Sequence, residues 1–145
     1  YPVIAFIEKA AKEEIYNNLL AEGFEVIEPQ YTKKMYEDAM LSGSHNMQVI
    51  LYTTEDFQYS SEGLASIEKA FVDLYFAITR NGYPLSLQEL VRIYQNLSRL
   101  GNIDKKKLIT VASRRNIQYD IRFIVENRFI TDSAIEFGKI LRREE

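Results

Sequence analysis

Three short apolar runs separated by two helix-length stretches constrain the fold of this chain more than any other feature. "VIAFI" (Val3 to Ile7) is apolar at every position, "FEVIEP" (24–29) is short and ends at Pro29, and "MQVILYTT" (Met47 to Thr54) is again apolar on both faces at Val49, Ile50 and Leu51. Runs of this kind are strands covered on both sides. Between the first two lies "KEEIYNNLLAEG", with Ile15, Leu19 and Leu20 on one side, acids in its first turn, and Gly23 where a helix stop needs positive φ. "YTKKMYEDAML" is a second helical stretch, closed by the loop "SGSHN". A β-α-β-α-β order requires crossover connections, hence mainly parallel strands in a small sheet. The pattern carries no strand order.

The rest of the chain reads as helix. Residues 55–65, "EDFQYSSEGLA", form a polar surface connection. Ser66 caps a long helix whose Ile67, Phe71, Leu74, Tyr75 and Ile78 make its apolar stripe, before "RNGYP" ends it. Ser86 to Glu89 is a capping box opening a helix with Leu87, Leu90, Val91, Tyr94 and Leu97 inward and Gly101 as its stop. Asp104 caps the next, with Leu108, Val111 and Ala112 inward. Ile117, Ile121, Ile124 and Val125 mark another, and Ser133 to Glu136 opens a last one. The predicted fold class is α/β: a three-stranded, mainly parallel sheet over 1–54, followed over 66–145 by a bundle of about five helices. At 145 residues this fits one domain with a real core. No Pro/Gly/Ser-rich linker divides it.

Several chemistries have no residues to run on. There is no cysteine, so no disulfide or thiolate site is possible, and the expected setting is cytoplasmic. No apolar run reaches membrane-spanning length. The chain opens at Tyr1 without a methionine and is expected to be a piece of a longer protein. Neither a GxxxxGK[ST] nor a GxGxxG cradle is present, and His45, the sole histidine, stands in a Gly/Ser loop with no cysteine to join it. No cofactor is expected. A metal-dependent nuclease is the alternative, because Glu8, Glu25, Glu28 and Glu55 stand near strand ends. Its acid-x-Lys pattern is missing, however: Glu8-Lys9 and Glu68-Lys69 are adjacent and would point to opposite faces of a strand.

"SIEKAFVDLYFAITRNG" (66–82) places charges on an otherwise apolar helix. With a turn of about 100° per residue from Ile67, Lys69, Asp73 and Arg80 gather opposite the stripe, and Lys69 and Asp73 are i,i+4 neighbours. That is a solvated ion-pair face. Phe76 falls on the same side, and Glu68 lies beside Tyr75 at the stripe's edge. Apolar residues on more than one side point instead to a central helix whose charges pair with other elements.

The motif Ser66, Glu68, Lys69, Phe71, Val72, Asp73 resembles a segment of AbiEi-like proteins, the antitoxins of abortive-infection type IV toxin–antitoxin systems, and of their uncharacterised bacterial relatives. "VIAFIEKAAKEEIYNNLLAEGFEVI" resembles their strand-helix-strand lead-in, and "LVRIYQNLSRLGNIDKKKLITVASRRN" the helices that follow. The resemblance implies the C-terminal domain of a protein with a winged-helix DNA-binding domain upstream. It implies an antitoxin or autoregulator, not an enzyme, whose cognate toxin is a nucleotidyltransferase-like protein.

Charge is distributed unevenly. Residues 1–98 carry a formal −7, residues 99–128 carry +5, and the last seventeen add −1. Lys105, Lys106, Lys107, Arg114, Arg115 and Arg122 are the dense positive cluster. They are the candidates for touching DNA phosphates or an acidic toxin surface, against the plain alternative of a solvated helix surface. Charge reversal at Arg114 and Arg115 is expected to weaken partner binding and leave stability within about 0.5 kcal/mol. Of ten tyrosines, Tyr52, Tyr59 and Tyr83 lie on or near loops and are the interface candidates. The expected function is thus a non-catalytic, partner-binding part of an antitoxin-like transcriptional regulator.

Overall fold

The structure, a computed structural model, describes residues 1–43 and 46–127. The chain is α/β, as the alternation requires. Its elements run β1 (Val3–Ile7), α1 (Lys12–Ala21), β2 (Glu25–Ile27), α2 (Thr32–Ser42), β3 (Gln48–Thr53), β4 (Ser60–Ser61), β5 (Leu64–Ala65), α3 (Ile67–Asn81), α4 (Leu87–Arg99), α5 (Lys105–Ser113) and α6 (Gln118–Asn127). The helix expected from Ser133, like His45, lies outside the described residues. Two compact units emerge: Tyr1–Gln58 with Phe76–Pro84, and Tyr59–Tyr75 with the described residues from Leu85 on. The boundaries fall in the 55–65 connection, between Gln58 and Tyr59, within α3, between Tyr75 and Phe76, and between Pro84 and Leu85.

In the first unit the three strands are parallel in the order β1-β3-β2, so the last strand in sequence is the central one. Its Gln48, Val49, Ile50 and Leu51 are all buried. Register places Ile4 and Ile27 on either side of Ile50, and Val3 and Val26 on either side of Val49. Alternate residues of a strand face opposite ways, so these are two apolar rows on the two faces of the sheet. β1 departs from expectation: Val3 is 47% exposed, and the other four residues are only partly covered. An edge strand has one neighbour, and its apolar composition does not guarantee a cover.

β1 and β2 end alike. Each is followed by a glutamate in extended backbone, Glu8 or Glu28, then one 3-10 turn, then a helix. Leu20, expected inward on α1, is 46% exposed, whereas Ile15 and Leu19 are partly covered. The far end of α3 is fastened within this unit. The Tyr52 hydroxyl donates to the Asn81 side chain, the Tyr83 hydroxyl donates to the Pro2 carbonyl at 2.7 Å, and the Tyr1 and Tyr83 rings stack with centroids 6.4 Å apart. Between them Gly82 adopts φ +69°, and a Cβ there would stand 2.8 Å from the Lys33 Cβ. Only glycine meets both conditions.

The second unit begins where a plain connection was expected. Residues 60–65 form a hairpin in which Ser60 pairs with Ala65 and Ser61 with Leu64, turned by Glu62 and Gly63, both at positive φ. A two-residue turn with both central φ positive matches the twist of a hairpin. The core of the unit comprises Phe71, Val72 and Tyr75 of α3, Leu87, Leu90, Val91 and Tyr94 of α4, Leu108, Val111 and Ala112 of α5, and Ile117, Ile121 and Ile124 in and before α6. Three caps read from the sequence are made: Ser66 Oγ accepts from the Lys69 amide at 3.2 Å, Ser86 Oγ from the Glu89 amide at 3.1 Å, and Asp104 Oδ1 from the Lys106 and Lys107 amides at 2.9 and 3.2 Å. Glu89 does not complete the box on the described bonds; it pairs with Arg92 at 2.6 Å. Ile67 is 43% exposed and so falls off the expected stripe.

Candidate functional site

Phe71, Val72 and Asp73 are consecutive and all buried. At about 100° per residue they sweep about 200° of the helix circumference, so this part of α3 is covered on most of its girth. The solvated ion-pair face is therefore not what forms; α3 is central, and its charges are paired. Asp73 is 7% exposed and accepts from Lys69 Nζ at 2.5 Å and from Arg115 Nη1 at 2.7 Å. Glu68 is 6% exposed, accepts from the Asp104 amide at 3.2 Å, and lies 3.3 Å from Lys107 Nζ.

These contacts have a common geometry. Asp104 and Lys107 stand at the start of α5, and Arg115 stands just past its end. Glu68 and Asp73, five residues apart on α3, thus hold the two ends of α5, while the Tyr75 hydroxyl donates to Asp120 Oδ2 in the first turn of α6 at 2.6 Å. Buried carboxylates removed from water are stable only with partners of this kind. The family-motif residues accordingly have structural positions: Ser66 caps α3, Glu68 and Asp73 grip α5, and Lys69 completes the charge around Asp73.

The six candidate contact residues separate. Lys107 and Arg115 point to the acids of α3, with side chains 40% and 25% exposed. Lys107 also stands over the Tyr59 ring, 5.9 Å from its centroid. Lys105, Lys106 and Arg114 are exposed at α5 and its end, and Arg122 is exposed on α6. The expectation that Arg114 and Arg115 are equivalent surface charges is thereby corrected, since the second neutralises a buried aspartate.

Among the tyrosines, Tyr52 and Tyr83 are fastened by internal hydrogen bonds. Burial pushes the Tyr83 phenol above its ordinary range, and the neighbouring Tyr1 and Tyr36 phenols push the same way. Tyr59 is the candidate with an unusual backbone, at φ +64°. A bulky residue rarely adopts that conformation. The alternative enzyme reading needs converging carboxylates; among the described residues, no three Asp, Glu or His side chains are grouped so as to hold a metal ion. Among the same residues, no helix is long and apolar enough to cross a membrane. Comparison of the chain with protein-family models, curated proteins and solved structures found no match.

The ion pairs between helices could not be read from spacing, because Asp73 and Arg115 are 42 residues apart. The signal available in sequence was indirect: apolar residues on both sides of a helix that also carries acids.

Proposed function

We propose that this chain is the partner-binding, non-catalytic part of an antitoxin-like transcriptional regulator acting in the cytoplasm. It grips a nucleotidyltransferase-like toxin, and DNA is engaged mainly by a winged-helix domain upstream. The observation that carries the reading is the division of the basic cluster. Lys107 and Arg115 are committed to the acids of α3, whereas Lys105, Lys106 and Arg122 present exposed charge on helices those acids help to fix. A charged face on a braced scaffold favours complementary partners and speeds their encounter. The resemblance to AbiEi-like antitoxins supplies the class of partner.

The test is binding, measured with the full-length protein and with this chain. Full-length protein shifts its own promoter DNA, and the chain alone does so weakly or not at all. The chain forms a complex with the co-expressed toxin that charge reversal at Lys105, Lys106 and Arg122 loosens. Equal DNA binding by the chain alone, or a toxin complex indifferent to those reversals, refutes the reading.

A further inference from the structure

We propose a second binding site in the helical unit, for a phosphate group, in a cleft beside Tyr94. The cleft holds about 310 Å³ and is lined by Tyr94, Gln95, Ser98 and Arg99 of α4, Lys105 of α5 and Val125 of α6. This goes beyond the partner-binding reading and does not rest on it, although Lys105 serves in both.

Tyr94 supplies the first reason. The residue is 2% exposed, and its hydroxyl is buried without a hydrogen-bond partner. Buried polar groups in folded proteins are nearly always satisfied, so an idle donor in a residue that lines a cleft marks a place for an acceptor that reaches it from there. Its ring is held in place by Phe71, with centroids 5.9 Å apart.

Charge supplies the second. Arg99 in the last turn of α4 and Lys105 at the first position of α5 bring two cations to the cleft, and no acidic side chain appears among its described lining residues. Lys105 at the helix N-terminus adds its charge to the positive end of the helix dipole. Asp104 caps the Lys106 and Lys107 amides, and Glu68 lies against Lys107. Neither carboxylate lines the cleft. One Arg99 nitrogen donates to the Asn96 side chain at 3.3 Å, which steadies the guanidinium.

The donor set points to phosphate. A guanidinium, an ammonium and hydroxyl donors can each take a different oxygen of a tetrahedral group, and two cations balance a charge near −2. The volume stands near the lower end of ligand pockets, which run from about 300 to 1,000 Å³. It suits phosphate or a small phosphate ester, not a dinucleotide.

The test is a titration of the chain, without any macromolecular partner, followed by amide NMR at constant ionic strength. Inorganic phosphate is the first probe and glycerol 3-phosphate the second. Both are expected to give saturable shifts confined to residues 94–99 and 105, and the tighter of the two identifies the source as free anion or organic ester. Arg99→Gln with Lys105→Gln, both at exposed residues, weakens binding by about tenfold or more. Tyr94→Phe weakens it while leaving thermal stability unchanged or raised, because the hydroxyl has no partner in the free protein. Arg92→Gln with Lys34→Gln, both exposed and away from the cleft lining, leaves the affinity as it was. Absence of saturation with both probes, an equal loss in that control, or a Tyr94→Phe variant that is less stable and binds normally overturns the assignment.

Discussion

The Tyr75 hydroxyl donates to Asp120 Oδ2 at 2.6 Å across 45 residues of sequence, with the two side chains 0% and 2% exposed. It joins the central helix to the first turn of α6 at a buried place. Tyr75→Phe keeps the ring and its packing and removes the donor. The expected loss is about 1–3 kcal/mol, because a buried carboxyl loses this donor. Urea unfolding followed by circular dichroism measures it; an unchanged midpoint would show that the bond contributes nothing net.

Arg115 and Lys106 separate two kinds of cation that look alike in the sequence. Arg115→Gln leaves Asp73, buried beside it at 2.7 Å, with only Lys69. It is expected to destabilise by about 1–3 kcal/mol, whereas exposed Lys106→Gln stays within about 0.5. Asp73→Asn is expected to be the most severe of the set, since it breaks both ion pairs made at Asp73. Equal unfolding midpoints for all three would remove the tie between α3 and α5.

Gly82 and Gly101 have nearly the same backbone, φ +69° and +72°, but a Cβ meets Lys33 at 2.8 Å in the first and nothing within 4 Å in the second. Alanine at Gly101 therefore costs about 1 kcal/mol from conformation alone. Alanine at Gly82 costs clearly more, because Lys33 Cβ is fixed to its helix and cannot swing away. Calorimetric midpoints rank the pair, and the reverse order would contradict the close approach.

Tyr83 provides a pH dependence. Its phenol is raised in the folded chain by burial first and then by Tyr1 and Tyr36. A raised folded pKa means that the neutral form is favoured by folding. The contribution is complete below the ordinary tyrosine range near pH 10 and is lost as pH rises from there toward the folded value. Stability should fall above about pH 10, and Tyr83→Phe should flatten that fall while lowering the neutral-pH plateau through loss of the bond to the Pro2 carbonyl. Parallel pH profiles for the two proteins would refute the linkage.

Much of the local structure was legible because its causes are local. Ser66, Ser86 and Asp104 cap helices through amides two or three residues away. Gly23 and Gly101 take positive φ at helix ends, and apolar periodicity separated strands from helices. Within the candidate site, Lys105, Lys106 and Arg122 could be named from composition, since exposure is the ordinary state of a helical lysine or arginine.

The amino-acid sequence alone determined the order of the three sheet strands and the described helices and the α/β class, though not the hairpin at 60–65, since each follows from hydrogen bonds and side-chain spacing within about a dozen residues. Only the tertiary structure decided that β3 runs between β1 and β2, that Leu20 and Ile67 are exposed, and that Lys107 and Arg115 belong to Glu68 and Asp73 while their neighbours face solvent. Periodicity says which side chains share a face. What covers that face is set by segments tens of residues away, and the desolvated carboxylates of α3 select their cations only when those segments arrive.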